Sequence, residues 1–193
     1  MIDAFDIESL KKRLKPDSSI LENQNGKRPE AAVAIIIDPK EQDGSLLLIR
    51  RTERQDDPWS GQIAFPGGHK KETDRTFLET AIREAYEEVG IELGQHHILG
   101  VVSPLYSYTR HILITPFVFE LKGNVKVQLN QEVAESFWVP LRELSKIDVA
   151  KSEVQVPQGK LMVNSYTYDG HVIWGLTFRI INVLLNRQQV PES

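Results

Sequence analysis

Residues 67–91 read GGHKKETDRTFLETAIREAYEEVGI, a glycine turn and a short polar loop followed by a segment with helical periodicity. Within that segment apolar residues recur at steps of three and four, which places them on one face of a helix: Leu78, Ala81, Ile82, Ala85 and Val89. Thr73 or Asp74 is predicted to cap its N-terminus by accepting a hydrogen bond from a free amide. Gly90, followed by apolar Ile91, suits a left-handed cap at its C-terminus. The sequence therefore predicts one amphipathic helix of about four turns, with its apolar face against a core.

Three glutamates, Glu84, Glu87 and Glu88, crowd the polar face of this predicted helix. Their spacing of i, i+3 and i+4 brings the carboxylates within about one helical turn, where like charges repel. Arg83 can pair along the helix with Glu79 and Glu87, but one guanidinium does not neutralise three acids. A hard divalent cation can do so, since Mg²⁺ takes carboxylate oxygens, waters and substrate phosphates as ligands. On spacing alone, the alternative is a solvated acidic helix face.

The end of the stretch resembles the signature of the Nudix hydrolases. Gly68 and residues 83–91 (REAYEEVGI) match a pattern that ends Arg-Glu-apolar-any-Glu-Glu-any-Gly-apolar. The front half departs from the general pattern, which has Glu six residues after the glycine and then seven residues before the arginine. In this chain the sixth residue is Asp74, and eight residues separate it from Arg83. Asp74 is therefore a candidate for the role of the usual glutamate.

Three further segments resemble the coenzyme A pyrophosphatase branch of the family, in which Asp with this longer spacing is common. They are residues 47–51 (LLIRR), 61–68 (GQIAFPGG) and 173–177 (IWGLT). Together with the helix, the resemblance extends over most of the chain, from about residue 31 to residue 185.

The resemblance implies that Glu84, Glu87 and Glu88 hold Mg²⁺ or Mn²⁺, with the carbonyl of Gly67 as a further ligand. Such a metal would neutralise a diphosphate, orient it and lower the pKa of an attacking water. Phosphoryl transfer needs charge stabilisation and in-line geometry more than covalent chemistry. We therefore expect water to attack phosphorus without a covalent enzyme intermediate.

The resemblance gives Arg83 a supporting part in catalysis, in which it orients the glutamates by hydrogen bonding. The candidates for the general base are Glu84 and Glu132. Glu132 lies in a loop before a strand, at a position where many Nudix hydrolases keep an active-site acid. The alternative for Glu132 is a plain turn residue.

Three arginines, Arg50, Arg51 and Arg54, follow the strand that precedes the glycine turn. We expect them to bind substrate, since guanidinium groups make bidentate contacts with phosphate and could hold the extra phosphate of coenzyme A. The alternative is a solvated charged loop. Phe65 is placed with them as a substrate-binding candidate, and with Pro66 it is also expected to stiffen the turn and pack the helix.

The composition of the 193 residues predicts one domain and excludes several kinds of function. A net charge of −4 argues against general binding of nucleic acid, which needs a basic face. The absence of cysteine excludes disulfides, a thiolate nucleophile and zinc–thiolate sites. No secretory signal is recognisable, and no apolar stretch approaches the roughly 20 residues of a membrane helix. We expect a cytoplasmic protein with neither a nucleic-acid nor a membrane partner.

Strand patterns dominate the chain, so the fold class is predicted as α+β, with helices covering a mixed sheet. The resemblance implies the α/β/α sandwich of the Nudix fold with one catalytic helix. We predict an N-terminal arm at 1–30, a Nudix hydrolase domain at 31–187 and a C-terminal tail at 188–193. Strands are expected at 31–37, 46–50, 62–65, 98–105, 112–121, 125–129, 133–139, 154–156, 161–168 and 171–174, and a terminal helix at 175–186.

Three functions are compatible with these residues. The first is metal-dependent hydrolysis of coenzyme A or acyl-coenzyme A to 3′,5′-ADP and (acyl-)4′-phosphopantetheine, as the resemblance implies. The second keeps the chemistry but uses ADP-ribose or another nucleoside diphosphate derivative, because substrate-reading loops vary independently of the scaffold. The third is a non-catalytic nucleotide-binding regulator. Each takes a small-molecule nucleotide, and the oligomeric state stays open, with a homodimer among the options.

Overall fold

The computed structural model of the protein describes residues 7–16, 29–40, 43–55, 57, 59–94 and 98–187. Its helices are α1 (Ile7–Arg13), α2 (Phe77–Val89), α3 (Leu141–Leu144) and α4 (Gly175–Leu184). Its strands are β1 (Ala31–Asp38), β2 (Ser45–Arg51), β3 (Ile63–Ala64), β4 (Gly67–His69), β5 (Ile98–Val101), β6 (Leu105–Ser107), β7 (Ile112–Glu120), β8 (Val133–Pro140), β9 (Ala150–Val156), β10 (Gly159–Tyr168) and β11 (His171–Trp174). None of the helices in these residues is long and apolar enough to cross a membrane. The predicted tail at 188–193 and most of the predicted N-terminal arm at 1–30 lie outside the described residues.

Strand β1 lies at the centre of a mixed sheet that has eight strands within the described part of the chain. The main path runs β3-β2-β1-β7-β5, while β4 also pairs with β1, β6 with β7 and β8 with β2. β1 and β7 are parallel, with Ala31 opposite Ile114. β1 and β2, both predicted as strands, pair antiparallel, with Ile37 opposite Leu46. Strands β9, β10 and β11 form a second, antiparallel sheet.

Two apolar clusters cover the two faces of the larger sheet. One packs α2 against alternate residues of β1 and β2: Ala32, Ala34, Ile36, Leu47 and Ile49. The other packs α1, α3 and α4 against the residues between them: Ile35, Ile37, Leu46 and Leu48. Side chains alternate between the faces of a strand, so a strand covered on both sides reads as a continuous apolar run. The predicted α+β sandwich with helices on both faces of a mixed sheet is confirmed.

The N-terminus of α2 is capped by Thr76, whose hydroxyl accepts a hydrogen bond from the Glu79 amide at 3.1 Å. The cap predicted at Thr73 or Asp74 was therefore wrong by two or three residues. The Asp74 carboxylate is occupied by other donors, described below, and so does not reach the free amides of the first turn.

The C-terminus of α2 is closed by Gly90 in the left-handed conformation, with φ 68°, as predicted. Its amide donates to the Tyr86 carbonyl at 3.0 Å. Residues 125–129, predicted as a strand, form none. This segment lies instead along the end of the helix, where the amide of Gln128 donates to the Val89 carbonyl at 2.9 Å. This hydrogen bond occupies the Gln128 amide, which in a strand would donate to a neighbouring strand.

Candidate active site

Arg83 is the centre of the polar face of α2. Its Nε and Nη2 donate to the two carboxylate oxygens of Asp74 at 3.0 and 2.8 Å. Its Nη1 donates to Glu84 at 2.6 Å and to Glu87 at 3.0 Å. Nη2 also donates to the carbonyl of His69, the last residue of β4, at 3.1 Å. One guanidinium thus joins the loop, the helix and β4, and it orients two of the three clustered glutamates.

Asp74 is the buried anion that holds Arg83 in place, with only 6% of its surface exposed. Its Oδ2 also accepts hydrogen bonds from the Lys71 amide at 2.9 Å and the Thr80 hydroxyl at 3.0 Å. The hydrogen bonds from Arg83, more than the others, hold the pKa of Asp74 well below its usual range, although burial opposes the shift. The same contact raises the pKa of Arg83. Asp74 therefore stays charged at neutral pH and positions the Arg83 guanidinium.

Glu88 is the most deeply buried of the three glutamates, with 3% of its surface exposed. Its Oε2 accepts a hydrogen bond from the Gly67 amide at 3.0 Å. Burial raises the pKa of Glu88 to about 7, and the charges of Glu84 and Glu132 add to that effect, while the Gly67 amide and Arg51 oppose it. A buried acid beside other acids is an electrostatic site for a cation.

The two glycines of the turn allow β4 to approach the helix. A Cβ on Gly67 would lie 2.5 Å from the carbonyl oxygen of Ala32, closer than real contacts allow. A Cβ on Gly68 would lie 2.6 Å from Oε1 of Glu84. Only glycine at these positions brings the turn against both β1 and the acidic face of α2.

The remaining acids lie around this buried centre. The side chain of Glu84 is 12% exposed, whereas that of Glu87 is 41% exposed and accepts a hydrogen bond from Lys71 Nζ at 3.0 Å. Glu132 is exposed in the loop before β8, yet its charge reaches Glu88 and helps to raise the pKa of that residue. The structure thus brings together the predicted acids of the helix and the loop.

The oxygen atoms of this cluster fit a hard divalent cation. In the described residues, no three acidic or histidine side chains are already arranged so that they could hold a metal ion. Instead Arg83 holds Glu84 and Glu87, and the Gly67 amide holds Glu88. Carboxylate and carbonyl oxygens are ligands that Mg²⁺ and Mn²⁺ take, and a cation would relieve the charge crowding around Glu88. The three glutamates and the Gly67 carbonyl are the groups that would hold it.

Three concave regions meet at Trp174, which borders each of them. The central cleft, of about 100 Å³, lies beside the glycine turn and is bordered by Gly67, Gly68, Arg51 and Arg110. The basic cleft, of about 830 Å³, is bordered by Arg50, Arg54, Gln55 and Gln155. The apolar groove, of about 280 Å³, is bordered by Trp59, Leu161, Met162, Leu176 and Phe178.

Arg51 and Arg110 bring two positive charges to the central cleft. Arg51, the last residue of β2, donates from Nη2 to Asp57 at 3.1 Å. Desolvation lowers the pKa of Arg110, and repulsion from Arg51 adds to this effect, while the attraction of Asp57 and Glu88 opposes it. Two guanidinium groups that repel each other beside a cluster of carboxylates suit a phosphate group that a cation on those carboxylates would also bind.

Arg110 was not among the residues predicted for the site. It lies between β6 and β7, in a loop that carries no motif. Only the pairing of β6 with β7, and of β7 with β1, brings that loop to the glycine turn. No signal in the sequence marks this arrangement.

Three of the predicted substrate-binding residues have surroundings different from those of Arg51. Arg50 points to the opposite face of the sheet from Arg51, as neighbours in a strand do, and its Nε donates to Glu135 at 3.1 Å. Arg54 is exposed and borders the basic cleft together with Arg50. Phe65 is 3% exposed and belongs to the core cluster on the α4 side, although it also borders the central cleft.

Comparison with known proteins adds to this geometry. A family model described as the NUDIX domain matches residues 27–158. The uncharacterized Nudix hydrolase NudL of Photorhabdus laumondii is 37% identical over 170 residues, which cover 87% of this chain and 88% of that protein. NudL of Pectobacterium atrosepticum is 37% identical over 142 residues, covering 72% of this chain and 73% of that protein. The crystal structure of a MutT/nudix family protein from Enterococcus faecalis matches with a TM-score of 0.53 at 14% identity, over 85% of this chain and 62% of that one, which shows a likeness of fold alone.

Proposed function

This chain belongs to the Nudix hydrolase family, and we propose that within it the protein hydrolyses coenzyme A or acyl-coenzyme A with Mg²⁺ or Mn²⁺. It is a pyrophosphohydrolase, which acts on the diphosphate linkage of small nucleotide derivatives, and its family generally needs a divalent metal. The proposed products are 3′,5′-ADP and 4′-phosphopantetheine or its acyl derivative.

The observation that carries the choice of substrate is the position of the basic cleft. It shares Gln62, Ile63 and Trp174 with the central cleft, so a molecule whose diphosphate lies at the glutamates can extend into it. Arg50 and Arg54 there are suited to a further phosphate, and coenzyme A carries one on its ribose. ADP-ribose has no such phosphate, so this cleft favours coenzyme A.

Each residue of the site has a defined part in the proposed reaction. A cation on Glu84, Glu87, Glu88 and the Gly67 carbonyl would supply charge neutralisation and an activated water. Arg51 and Arg110 bind the non-bridging oxygens of the diphosphate and stabilise the charge that grows there in the transition state.

The proton of the attacking water needs an acceptor near the metal ligands. Glu84 or Glu132 takes this proton, since the charges of both carboxylates raise the pKa of the buried Glu88 and both therefore lie near it. Asp74 holds Arg83, and Arg83 positions the glutamates.

A substrate panel tests this proposal. The protein with Mg²⁺ is given coenzyme A, acetyl-coenzyme A, ADP-ribose and NADH, and the products are identified by mass spectrometry. We expect 3′,5′-ADP from the first two at higher kcat/KM than any product from the others. Fast ADP-ribose hydrolysis without cleavage of coenzyme A would favour the second function, and no turnover of any of them would favour a binding regulator.

A variant of Arg54 tests the basic cleft separately. Dephospho-coenzyme A lacks the ribose 3′-phosphate, so the ratio of kcat/KM for coenzyme A to that for dephospho-coenzyme A reports on its binding. Arg54→Ala is expected to lower the ratio about tenfold, in line with a charge-assisted hydrogen bond. Arg75→Ala is the matched control, because Arg75 lies just before α2, outside the basic cleft, and its side chain is 88% exposed. An unchanged ratio in the Arg54 variant would place the 3′-phosphate elsewhere.

We also infer that residues 31–187 act as one hydrolase domain, on which α1 of the predicted arm at 1–30 packs. Leu10 of α1 is 1% exposed in the core, and Arg187 donates to the Tyr166 hydroxyl at 2.7 Å. A cytoplasmic location, expected from the sequence, is part of the same proposal.

A further inference from the structure

The apolar groove opens beside the site and has no part in the chemistry described so far. It lies between β10 and the beginning of α4, and four side chains of Trp, Tyr and Phe border it: Trp59, Tyr108, Trp174 and Phe178. Leu161 and Met162 on β10 are 44% and 50% exposed, unusually high for large apolar residues in this chain. Their surfaces are left in water in a protein whose other large apolar side chains are mostly buried.

The groove is continuous with the central cleft. Five residues border both: Ser107, Thr109, Trp174, Gly175 and Leu176. The central cleft in turn reaches Gly67 and Arg51 beside the glutamates. A flexible chain attached to a diphosphate in the central cleft therefore has a direct path into the groove.

The distance from the glycine turn to the apolar groove follows from the strand register. His69 of β4 lies opposite Ala31, Ala31 opposite Ile114 of β7, and Ile114 opposite Leu105 of β6, which leads to Ser107. Three strand spacings amount to roughly 14 Å. The pantetheine arm of coenzyme A has about twelve bonds between its phosphate ester oxygen and its sulfur, which also span about 14 Å when extended. The thioester of an acyl-coenzyme A would thus lie at the mouth of the groove.

The chemistry of the groove suits an acyl chain. Arg179 borders it, but its guanidinium donates to the Tyr106 carbonyl at 2.6 Å and lies 5.1 Å from the centre of the Tyr108 ring. Its charge is thus directed to the wall of the groove. The volume of about 280 Å³ is at the lower end for ligand pockets, which fits a single hydrocarbon chain.

We propose that this groove binds the acyl chain of the substrate, so that the protein prefers medium-chain acyl-coenzyme A thioesters over free coenzyme A. The proposal rests on the proposed function, because it needs a coenzyme A thioester in the central cleft. It adds the specificity that neither the metal cluster nor the basic cleft supplies, since both contact parts common to all these substrates.

The test measures kcat/KM with Mg²⁺ for coenzyme A and for its acetyl, butyryl, hexanoyl and octanoyl thioesters. Each methylene removed from water contributes about fourfold, so even half-burial of the chain makes octanoyl-coenzyme A at least about tenfold better than acetyl-coenzyme A. In Met162→Glu a charge enters the groove, and the octanoyl-to-acetyl ratio is expected to fall to about one. Val149→Glu is the control, because Val149 is 38% exposed outside the groove and its variant should keep the wild-type ratio.

A second measurement uses octanoyl-pantetheine, which carries no phosphate. It should inhibit the cleavage of octanoyl-coenzyme A competitively in the wild type and at least about tenfold more weakly in Met162→Glu. Cleavage of all the thioesters at equal kcat/KM, or a preference kept in Met162→Glu, would overturn the groove assignment and leave the proposed function standing. Hydrolysis of ADP-ribose with no cleavage of coenzyme A or any thioester would overturn both.

Discussion

Replacing Glu88 with Gln should stabilise the metal-free protein at neutral and alkaline pH, although the residue lies at the centre of the site. Gln has nearly the same volume, and its carbonyl can still accept the hydrogen bond from the Gly67 amide, 3.0 Å away in the wild type. What it removes is a negative charge in a side chain that is only 3% exposed.

The magnitude follows from the shift in pKa. Burial raises the pKa of Glu88 from 4.5 to about 7. Between these values the folded protein keeps a proton that the unfolded chain has lost, so the stability of the wild type falls as the pH rises through this window. A rise of this size corresponds to about 3 kcal/mol above pH 7 and to almost nothing below pH 4.5. Asp74 adds no slope here, because its pKa is depressed and it is charged in both states.

Urea unfolding in EDTA at pH 5 and pH 8 measures the effect as the difference in unfolding free energy between wild type and Glu88→Gln. We expect this difference to move by most of about 3 kcal/mol in favour of the variant between the two pH values. Glu153→Gln, in which a half-exposed carboxylate paired with Lys160 is removed, should show no such movement. Added Mg²⁺ should stabilise the wild type at pH 8 more than the variant. Parallel pH profiles for wild type and Glu88→Gln would refute the reasoning.

Three further substitutions address the surroundings of Glu88. Asp74→Asn removes the anion that faces Arg83 and should lower the free energy of unfolding, measured in urea at pH 7, by about 2 kcal/mol. This loss is smaller than usual for a broken buried ion pair, because Arg83 keeps its hydrogen bonds to Glu84 and Glu87. An unchanged urea midpoint would contradict this expectation. Gly68→Ala places a Cβ 2.6 Å from the Glu84 carboxylate and should lower kcat about a hundredfold while the melting temperature stays within a few degrees; full activity would show that Glu84 need not lie there. Arg110→Ala should lower kcat/KM for coenzyme A by about tenfold to a hundredfold in steady-state assays. Unchanged values of kcat and KM would show that Arg110 does not bind the diphosphate.

The parts of the fold that the sequence predicted well are those decided by local pattern. The apolar run of β1 and the periodicity of α2 each repeat over several residues, and Gly90 marks a backbone conformation that other residues avoid. The N-cap of α2 was misplaced because Thr73, Asp74 and Thr76 all suit a cap, and a cap pattern does not show that the Asp74 carboxylate instead accepts from Arg83 and Thr80. The strand predicted at 125–129 failed because its partner is the end of a helix, which alternation does not reveal.

The residues of the candidate site that the sequence predicted well are likewise those that share one local pattern. The glutamates and Arg83 share one helix, so their spacing alone brought them together. Arg50 and Arg51 were grouped as one phosphate-binding set, although the period of a strand separates them onto opposite faces, a signal that was present in the sequence. Arg110 depends on the packing of β6 and β7 against β1, which no single sequence shows.

The most direct measurement is a crystal structure with Mn²⁺, with data collected at a wavelength where manganese scatters anomalously. We expect an anomalous peak about 2.1 Å from carboxylate oxygens of Glu84 and Glu88, with Glu87 turned away from Lys71 toward the ion. A protein that cleaves coenzyme A in Mn²⁺, yet shows these three carboxylates still bonded to Arg83, Lys71 and the Gly67 amide with no peak between them, would contradict the metal site on which the proposed function depends.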